Sequence, residues 1–367
     1  MRTVAAEVPT VSWVFRRVVV TGLFLGWAVA TLTAQGGAPV SGTIKVPVCA
    51  ATRSGDPGLD LAAGDFDVRL DGKPIEVESF LGSESPMAIL LALDVTGDRL
   101  GIETVRAELV RFVEVLPPNV QVLLMTLNDG ARMIQPNTAD RGKLTQAIRS
   151  CATTGHPGFL ESVEAVARFA DNLLKRNPVR IATLVVTDSN VRLYRRQYTT
   201  ADFSTAAEDL RGALRAFAAP LFILRVPVQP VETLTSELPV GTPGYSQDRG
   251  FSSRQEGVIR TEPTVDGAPQ PAMTKRFASE VPNRTYEGVL HDLAEQTGGR
   301  AEFPLDEKGI STALASLLRR IHAVYVLEVR PGSAPGAEVK PDVRLKPSAG
   351  RGGDLRLSFP SRLKTSP

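Results

Sequence analysis

The sequence predicts an α/β domain built on a mostly parallel sheet, and three observations carry that expectation. Ile89, Leu90, Leu91, Ala92 and Leu93 form an apolar run without polar alternation, as suits a strand covered on both faces. Beyond it, segments of helical spacing alternate with short apolar runs. Two of these runs stop at aspartates, Asp94 and Asp188, and in open α/β sheets ligands sit beyond the carboxyl ends of strands. The stretch Met87 to Asp98, MAILLALDVTGD, therefore organises the chain: the run breaks at Asp94 into a polar, glycine-containing loop with Thr96 and Asp98. The same loop also reads as an acidic cap that ends a strand and starts the next helix.

Composition bounds the answer. The chain has 367 residues, 43% hydrophobic and 22% charged, enough for a sizeable core and roughly two domains. Arg16 and Arg17 precede the apolar segment Val18 to Ala34, which gives way to small and polar residues. This is the layout of a secretory signal peptide, so residues 1–34 are expected to be removed, with cleavage after Ala34 or Gly36. The alternative is an uncleaved membrane anchor, for which a run interrupted by Thr21, Gly22, Gly26, Thr31 and Thr33 is short. The formal charge of +2 comes from 42 basic and 40 acidic residues, and loss of Arg2, Arg16, Arg17 and Glu7 with the segment leaves the remainder neutral. Neutrality, with no basic face interleaved with aromatics, argues against a nucleic-acid partner. Export would permit a disulfide between the two cysteines, Cys49 and Cys151; two separately buried thiols are the alternative.

In chain order, residues 41–84 read as a small β unit. Ile44, Val46 and Val48 alternate, as do Phe66, Val68 and Leu70, and Asp71-Gly72 turns the chain toward Ile75 and Val77. After the central run, Ile102, Val105, Leu109, Phe112, Val113 and Leu116 recur at helical spacing, and Pro117-Pro118 ends that helix. Val120 to Leu127 is a second apolar strand; Asn128-Asp129-Gly130 turns it into a short antiparallel edge strand, Arg132 to Ile134. Thr138 is placed to cap a helix to Cys151, and Phe159 to Leu174 is a long helix closed at Asn177-Pro178. Arg180 to Thr187 is a strand, Ala206 to Phe217 a helix and Leu221 to Val226 a strand. Residues 227–283, rich in Pro, Gly, Ser and Thr, read as a flexible surface insertion. Tyr286 to Gln296, Arg300 to Phe303, Ile310 to Ile321 and Tyr325 to Val329 resume the helix and strand order, and residues 332–367 form a β extension and tail.

Two segments carry a family resemblance. Gly58 to Phe80, GLDLAAGDFDVRLDGKPIEVESF, is similar to the β unit preceding the von Willebrand factor type A (VWA) domain of the VWA-related proteins abundant in acidobacteria. Asp292 to Phe303, DLAEQTGGRAEF, with Tyr325 to Pro331, is similar to that family's closing segments. The resemblance implies a VWA, Rossmann-like domain over residues 85–331: a doubly wound, six-stranded sheet of order 3-2-1-4-5-6 with helices on both faces. It also implies a metal-ion-dependent adhesion site, in which an Asp-x-Ser-x-Ser loop, a threonine and a further aspartate hold a divalent cation, usually Mg2+. Hard oxygen ligands suit that ion, and an incomplete shell admits a partner's carboxylate. Carried over, Asp94 matches the first aspartate, Thr96 and Asp98 replace the two serines, and Asp188 matches the last aspartate. Pro157 stands where the threonine is expected, in GHPGFLESV, with Thr153 and Thr154 nearby. The implied site is thus altered.

His156, His291 and His322 have no zinc spacing, Cys151 and His156 make no persuasive thiol pair, and neither a phosphate-cradling loop nor a GxSxG elbow occurs. The expectation is an exported VWA-fold module of the cell envelope, secreted or periplasmic, that binds a protein partner or ligand and performs no catalysis. It would touch the membrane only through an uncleaved N-terminal segment. The competing expectation is a metal-dependent envelope enzyme, or enzyme accessory, using Asp94, Asp98 and Asp188.

Overall fold

The computed structural model describes residues 42–58, 61–95, 102–155, 158–187, 200–227, 283–333, 336–347 and 355–365. The segment expected to be a signal peptide, His156, Pro157, Thr96, Asp98 and Asp188 lie outside these residues, as does the expected 227–283 insertion apart from its end residues Pro227 and Asn283.

Four strands precede the central one: β1 (Ile44–Ala51), β2 (Phe66–Leu70), β3 (Lys73–Ile75) and β4 (Val77–Leu81). The apolar run is β5 (Met87–Asp94), followed by α1 (Ile102–Val115), β6 (Val120–Thr126), β7 (Arg132–Thr138), α2 (Arg141–Ser150) and α3 (Phe159–Arg176). Then come β8 (Arg180–Thr187), α4 (Thr200–Leu214), β9 (Leu221–Arg225), α5 (Asn283–Gln296), β10 (Arg300–Glu302), α6 (Glu307–His322) and β11 (Val324–Val329). Short strands β12 (Glu338–Val339), β13 (Pro341–Leu345), β14 (Arg356–Ser358) and β15 (Leu363–Lys364) close the chain.

The fold is mixed α/β around a six-stranded sheet of order β10-β9-β8-β5-β6-β7, parallel except for the edge strand β7. The lack of alternation in β5 follows from its position. Ile89, Leu91 and Leu93 enter one apolar layer with Val105 and Leu109 of α1, Leu144 of α2 and Leu314 of α6. Leu90 and Ala92 enter the opposite layer with Val163 of α3, Leu210 of α4 and Leu290 of α5. Both faces of the strand are dry, so every side chain is apolar until Asp94.

The edge strand β7 runs on past the expected Ile134 to Thr138, and two further local expectations differ from the structure. The cap of α2 is Asp140, whose Oδ1 accepts the Lys143 N–H at 3.0 Å, while Thr138 ends β7 and its hydroxyl oxygen accepts the Asp140 N–H at 3.1 Å. A carboxylate adjoining the first helical residue reaches the free N–H groups that a threonine two residues earlier does not. Helix α4 also starts at Thr200 and not Ala206, and Phe203, ahead of the expected start, is buried in one stripe with Ala207, Leu210 and Leu214.

Beside the central sheet lies a β layer assembled from both ends of the chain. Strand β11 runs antiparallel between β1 and β4 in a sheet of order β14-β1-β11-β4, and β2 lies between β13 and β3. Asp71 and Gly72, with φ of 50° and 79°, make the β2–β3 turn. Phe66, Phe80 and Tyr325 join the two small sheets, with ring centroids 5.7–6.1 Å apart. Arg180, 2% exposed at the amino end of β8, ties this layer to the central sheet. It donates to the carbonyls of Ser83, Ser85, His322 and Val324. Among the described residues no helix is long and apolar enough to cross a membrane.

Candidate functional site

Asp94 ends β5 fully buried, at 0% exposure. In-register pairing with Thr187 of β8 puts the two side chains on one face, and the Thr187 hydroxyl donates to Asp94 Oδ2 at 2.7 Å. Asp94 Oδ1 accepts the Gly158 N–H at 2.7 Å, at the N-cap of α3. A carboxylate at this place meets the partial positive charge of an 18-residue helix. Only glycine fits at 158, because a Cβ there would stand 2.3 Å from the Leu127 carbonyl oxygen. One buried side chain thus joins the carboxyl ends of β5 and β8 to the start of α3.

The end of β6 supplies a second junction. Asn128, 2% exposed, donates from Nδ2 to the Val95 carbonyl at 2.8 Å and to the Thr154 carbonyl at 3.2 Å. It bridges the residue after Asp94 and the loop between α2 and α3. That loop is pressed onto the β6 end at Gly155, where φ is +107° and a Cβ would lie 2.4 Å from Asp129 Oδ2. Asn128 Oδ1 is buried and finds no hydrogen-bond partner among the described residues. Leaving such an oxygen unsatisfied costs about 1–3 kcal/mol. Its orientation is set, since exchanging oxygen and nitrogen would turn Oδ1 against two carbonyl oxygens.

Of the residues the sequence nominated, Asp94 is described, while Thr96, Asp98 and Asp188 lie outside the described residues. Thr153 is half-buried and Thr154 exposed, with the Thr154 carbonyl taken by Asn128. Sequence reasoning missed Gly158, Thr187 and Asn128. The Asn-Asp-Gly signature had already accounted for Asn128 as a turn residue. Hard oxygens from Asp94 and the unsatisfied Asn128 amide are the donor chemistry that a Mg2+-sized cation takes. Among the described residues, no three His, Cys, Asp or Glu side chains converge to hold a metal.

The remaining reactive groups lie in other environments. Cys49 and Cys151 are free, buried thiols. Burial pushes Cys49 up to about 11, against smaller lowering effects of Arg320 and Ser358, and also raises Cys151. His322 is pushed down by burial and then by the Arg180 cation, and His291 faces Glu295 at 3.4 Å.

No protein-family model and no curated protein matches the sequence. Among solved structures, the chain is similar to the hypothetical protein BatB from Bacteroides thetaiotaomicron, at 17% identity over 64% of this chain and 99% of that one, with a TM-score of 0.35. It is similar to the vWF domain of the type V pili tip protein Mfa5 from Porphyromonas gingivalis, at 16% identity over 29% and 38%, with a TM-score of 0.25. It is also similar to proximal thread matrix protein 1 from the mussel byssus with a zinc-occupied MIDAS motif, at 9% identity over 73% and 50%, with a TM-score of 0.39. At these identities and scores the likenesses carry no inference about what this chain binds.

Proposed function

We propose that this chain is an exported VWA-fold binding module of the cell envelope, related to the acidobacterial VWA proteins it resembles. Its contact surface is the carboxyl end of the central sheet, and its adhesion site is degenerate. The observation that carries the reading is Asp94, buried at the end of the central strand and pinned by Gly158 and Thr187 where three connections meet. A carboxylate sunk at that point organises loops, and loops at strand ends are where α/β sheets bind. Leu305, 98% exposed after β10 at the same end of the sheet, offers an apolar anchor for a protein partner.

Where Mg2+ binds, Asp94, Thr96, Asp98 and Asp188 are the residues proposed to hold it, and the ion would offer an open position to a partner's carboxylate. The test is capture from envelope extract with and without Mg2+, using the wild type, Asp94→Asn and Leu305→Asp. Loss of the captured protein with either substitution is expected. A partner retained by both variants would place the contact surface elsewhere, and a metal-dependent hydrolytic activity lost with Asp94→Asn would favour an enzyme.

A further inference from the structure

Three arginines are buried among the described residues, Arg180, Arg225 and Arg320, and two of them are spent on main-chain carbonyls. Arg180 meets those of Ser83, Ser85, His322 and Val324, and Arg320 Nη2 meets those of Thr52 and Arg53. Arg320 Nε has no partner among the described residues, but Gly55 closes over it: a Cβ at 55 would lie 3.4 Å from that nitrogen. Arg225 differs from both. Among the described residues its guanidinium donates from Nη1 to Glu287, while Nε is buried without a partner. A guanidinium carries five N–H donors and a permanent charge, so one bond leaves a buried arginine far from satisfied.

Arg225 also stands where ligands of α/β sheets bind. Thr187 pairs in register with Asp94 on one side and with Arg225 on the other, so the three form a row across the carboxyl ends of β5, β8 and β9. Two strand spacings put the Arg225 backbone about 10 Å from that of Asp94. Asp94 is held by Thr187 and Gly158, whereas Arg225 is met by Glu287, the fifth residue of α5. With Nη1 on Glu287, the opposite edge of the fork, Nε with Nη2, presents two parallel N–H groups, the spacing that a carboxylate matches. The Arg225 side chain is 8% exposed and that of Glu287 34%, so the pair opens to solvent on the Glu287 side. Such an edge takes an anion and no cation, and the Glu287 charge beside it disfavours a dianion such as phosphate more than a carboxylate.

Resting on the reading of this end of the sheet as the contact surface, we infer that Arg225 binds an aspartate or glutamate side chain of the partner protein directly through Nε and Nη2. Glu287 holds the fork in place and, in the unbound chain, is the one carboxylate the arginine has. The experiment is ligand-observed NMR on the full chain in EDTA, with N-acetyl-aspartate N-methylamide, its asparagine counterpart and inorganic phosphate as probes. Wild type should bind the aspartate probe in about the millimolar range and the asparagine probe not at all. Arg225→Lys keeps the charge and loses the fork, so it should weaken the aspartate probe about tenfold or more. Glu287→Gln should lower the melting temperature yet tighten the probe about 3–10-fold, because a competing charge is gone. If Arg225 and Glu287 form only a structural pair, both variants melt lower and neither changes probe binding, which overturns the inference. Phosphate bound as well as the aspartate probe overturns it too, leaving a site for small anions. A protein captured from envelope extract by Arg225→Lys but lost with Leu305→Asp overturns the inference and leaves the contact surface standing; capture unaffected by Arg225→Lys, Asp94→Asn and Leu305→Asp overturns both. Should Arg225→Lys not fold, unchanged probe affinity in Glu287→Gln is sufficient to reject the role.

Discussion

Replacing Asp94 by alanine and by asparagine separates its charge from its hydrogen bonds. Asp94→Ala removes two contacts of 2.7 Å, leaving the Gly158 N–H and the Thr187 hydroxyl facing a small void in a fully buried place. Hydrogen bonds to charged groups contribute about 1.5–3 kcal/mol each, and relief from burying the carboxylate offsets part of two such bonds. A net cost of about 3 kcal/mol follows, roughly 4 °C in melting temperature for a chain of this size. Asparagine keeps both contacts in modified form. Its oxygen accepts the Gly158 N–H, and its NH2 donates to Thr187, whose hydroxyl accepts as readily as it donates. The expected cost of Asp94→Asn is therefore about 1 kcal/mol. Urea denaturation of both variants in EDTA is the assay. Equal destabilisation by the two, or an alanine variant as stable as wild type, would refute the view that Asp94 is held by these two donors.

Three further outcomes follow from the same geometry. Gly158→Ala forces a Cβ to 2.3 Å from the Leu127 oxygen, so it should cost about 1–3 kcal/mol, and less in an Asp94→Ala background because the two residues share one contact; additive costs in a double-mutant cycle would sink this. Arg180→Lys leaves three donors for the four carbonyls that Arg180 meets, and a loss of about 1–3 kcal/mol in urea denaturation is expected, whereas an unchanged midpoint would mean the carbonyls find water. Cys49 is raised from 9.0 to about 11, so its neutral form is favoured in the folded state; its stability contribution is complete below pH 9 and is lost as pH climbs toward about 11. Roughly 2–3 kcal/mol should disappear over that window, and Cys49→Ala should flatten this part of the pH profile; an identical profile in the variant would contradict it.

Legibility in the sequence tracked how local the cause was. The central strand was readable because burial on both faces leaves its mark on five consecutive residues, Ile89 to Leu93. The Asp71-Gly72 turn was readable because two adjacent residues set its backbone. The pairing of Ile44–Cys49 with Val324–Val329 was not, since alternation shows that each segment is a strand but names no partner across the chain. The capping residue of α2 was missed in favour of Thr138, although Asp140 stood beside the helix start. At the site, Asp94 announced itself as a charge ending an apolar run. Asn128 was concealed by a correct turn: Asp129 and Gly130, with φ of 54° and 111°, do reverse the chain, and nothing local tells that the asparagine side chain reaches back to Val95.

Helix α3 explains why a cation at this site would be an addition and not a requirement. At its C-terminus, Lys45 of β1 donates to the Leu174 and Asn177 carbonyls at 2.8 and 2.7 Å, so a cation from the β layer meets the negative end of the helix. At its N-terminus the Asp94 carboxylate meets the positive end. Each end of α3 is thereby satisfied by a charge from another part of the chain, and both charges are set by folding alone. The Lys45 end is closed off further by the chain's own β layer, which Arg180 fastens to β8. A ligand is left with the Asp94 end. There the helix and Thr187 already compensate the carboxylate before any metal arrives, so a metal competes with an existing arrangement and does not rescue a repulsive one. If the proposed cation binds, its affinity should therefore fall near the millimolar range, and a flat Mg2+ or Mn2+ melting titration up to that range would leave a metal-independent surface.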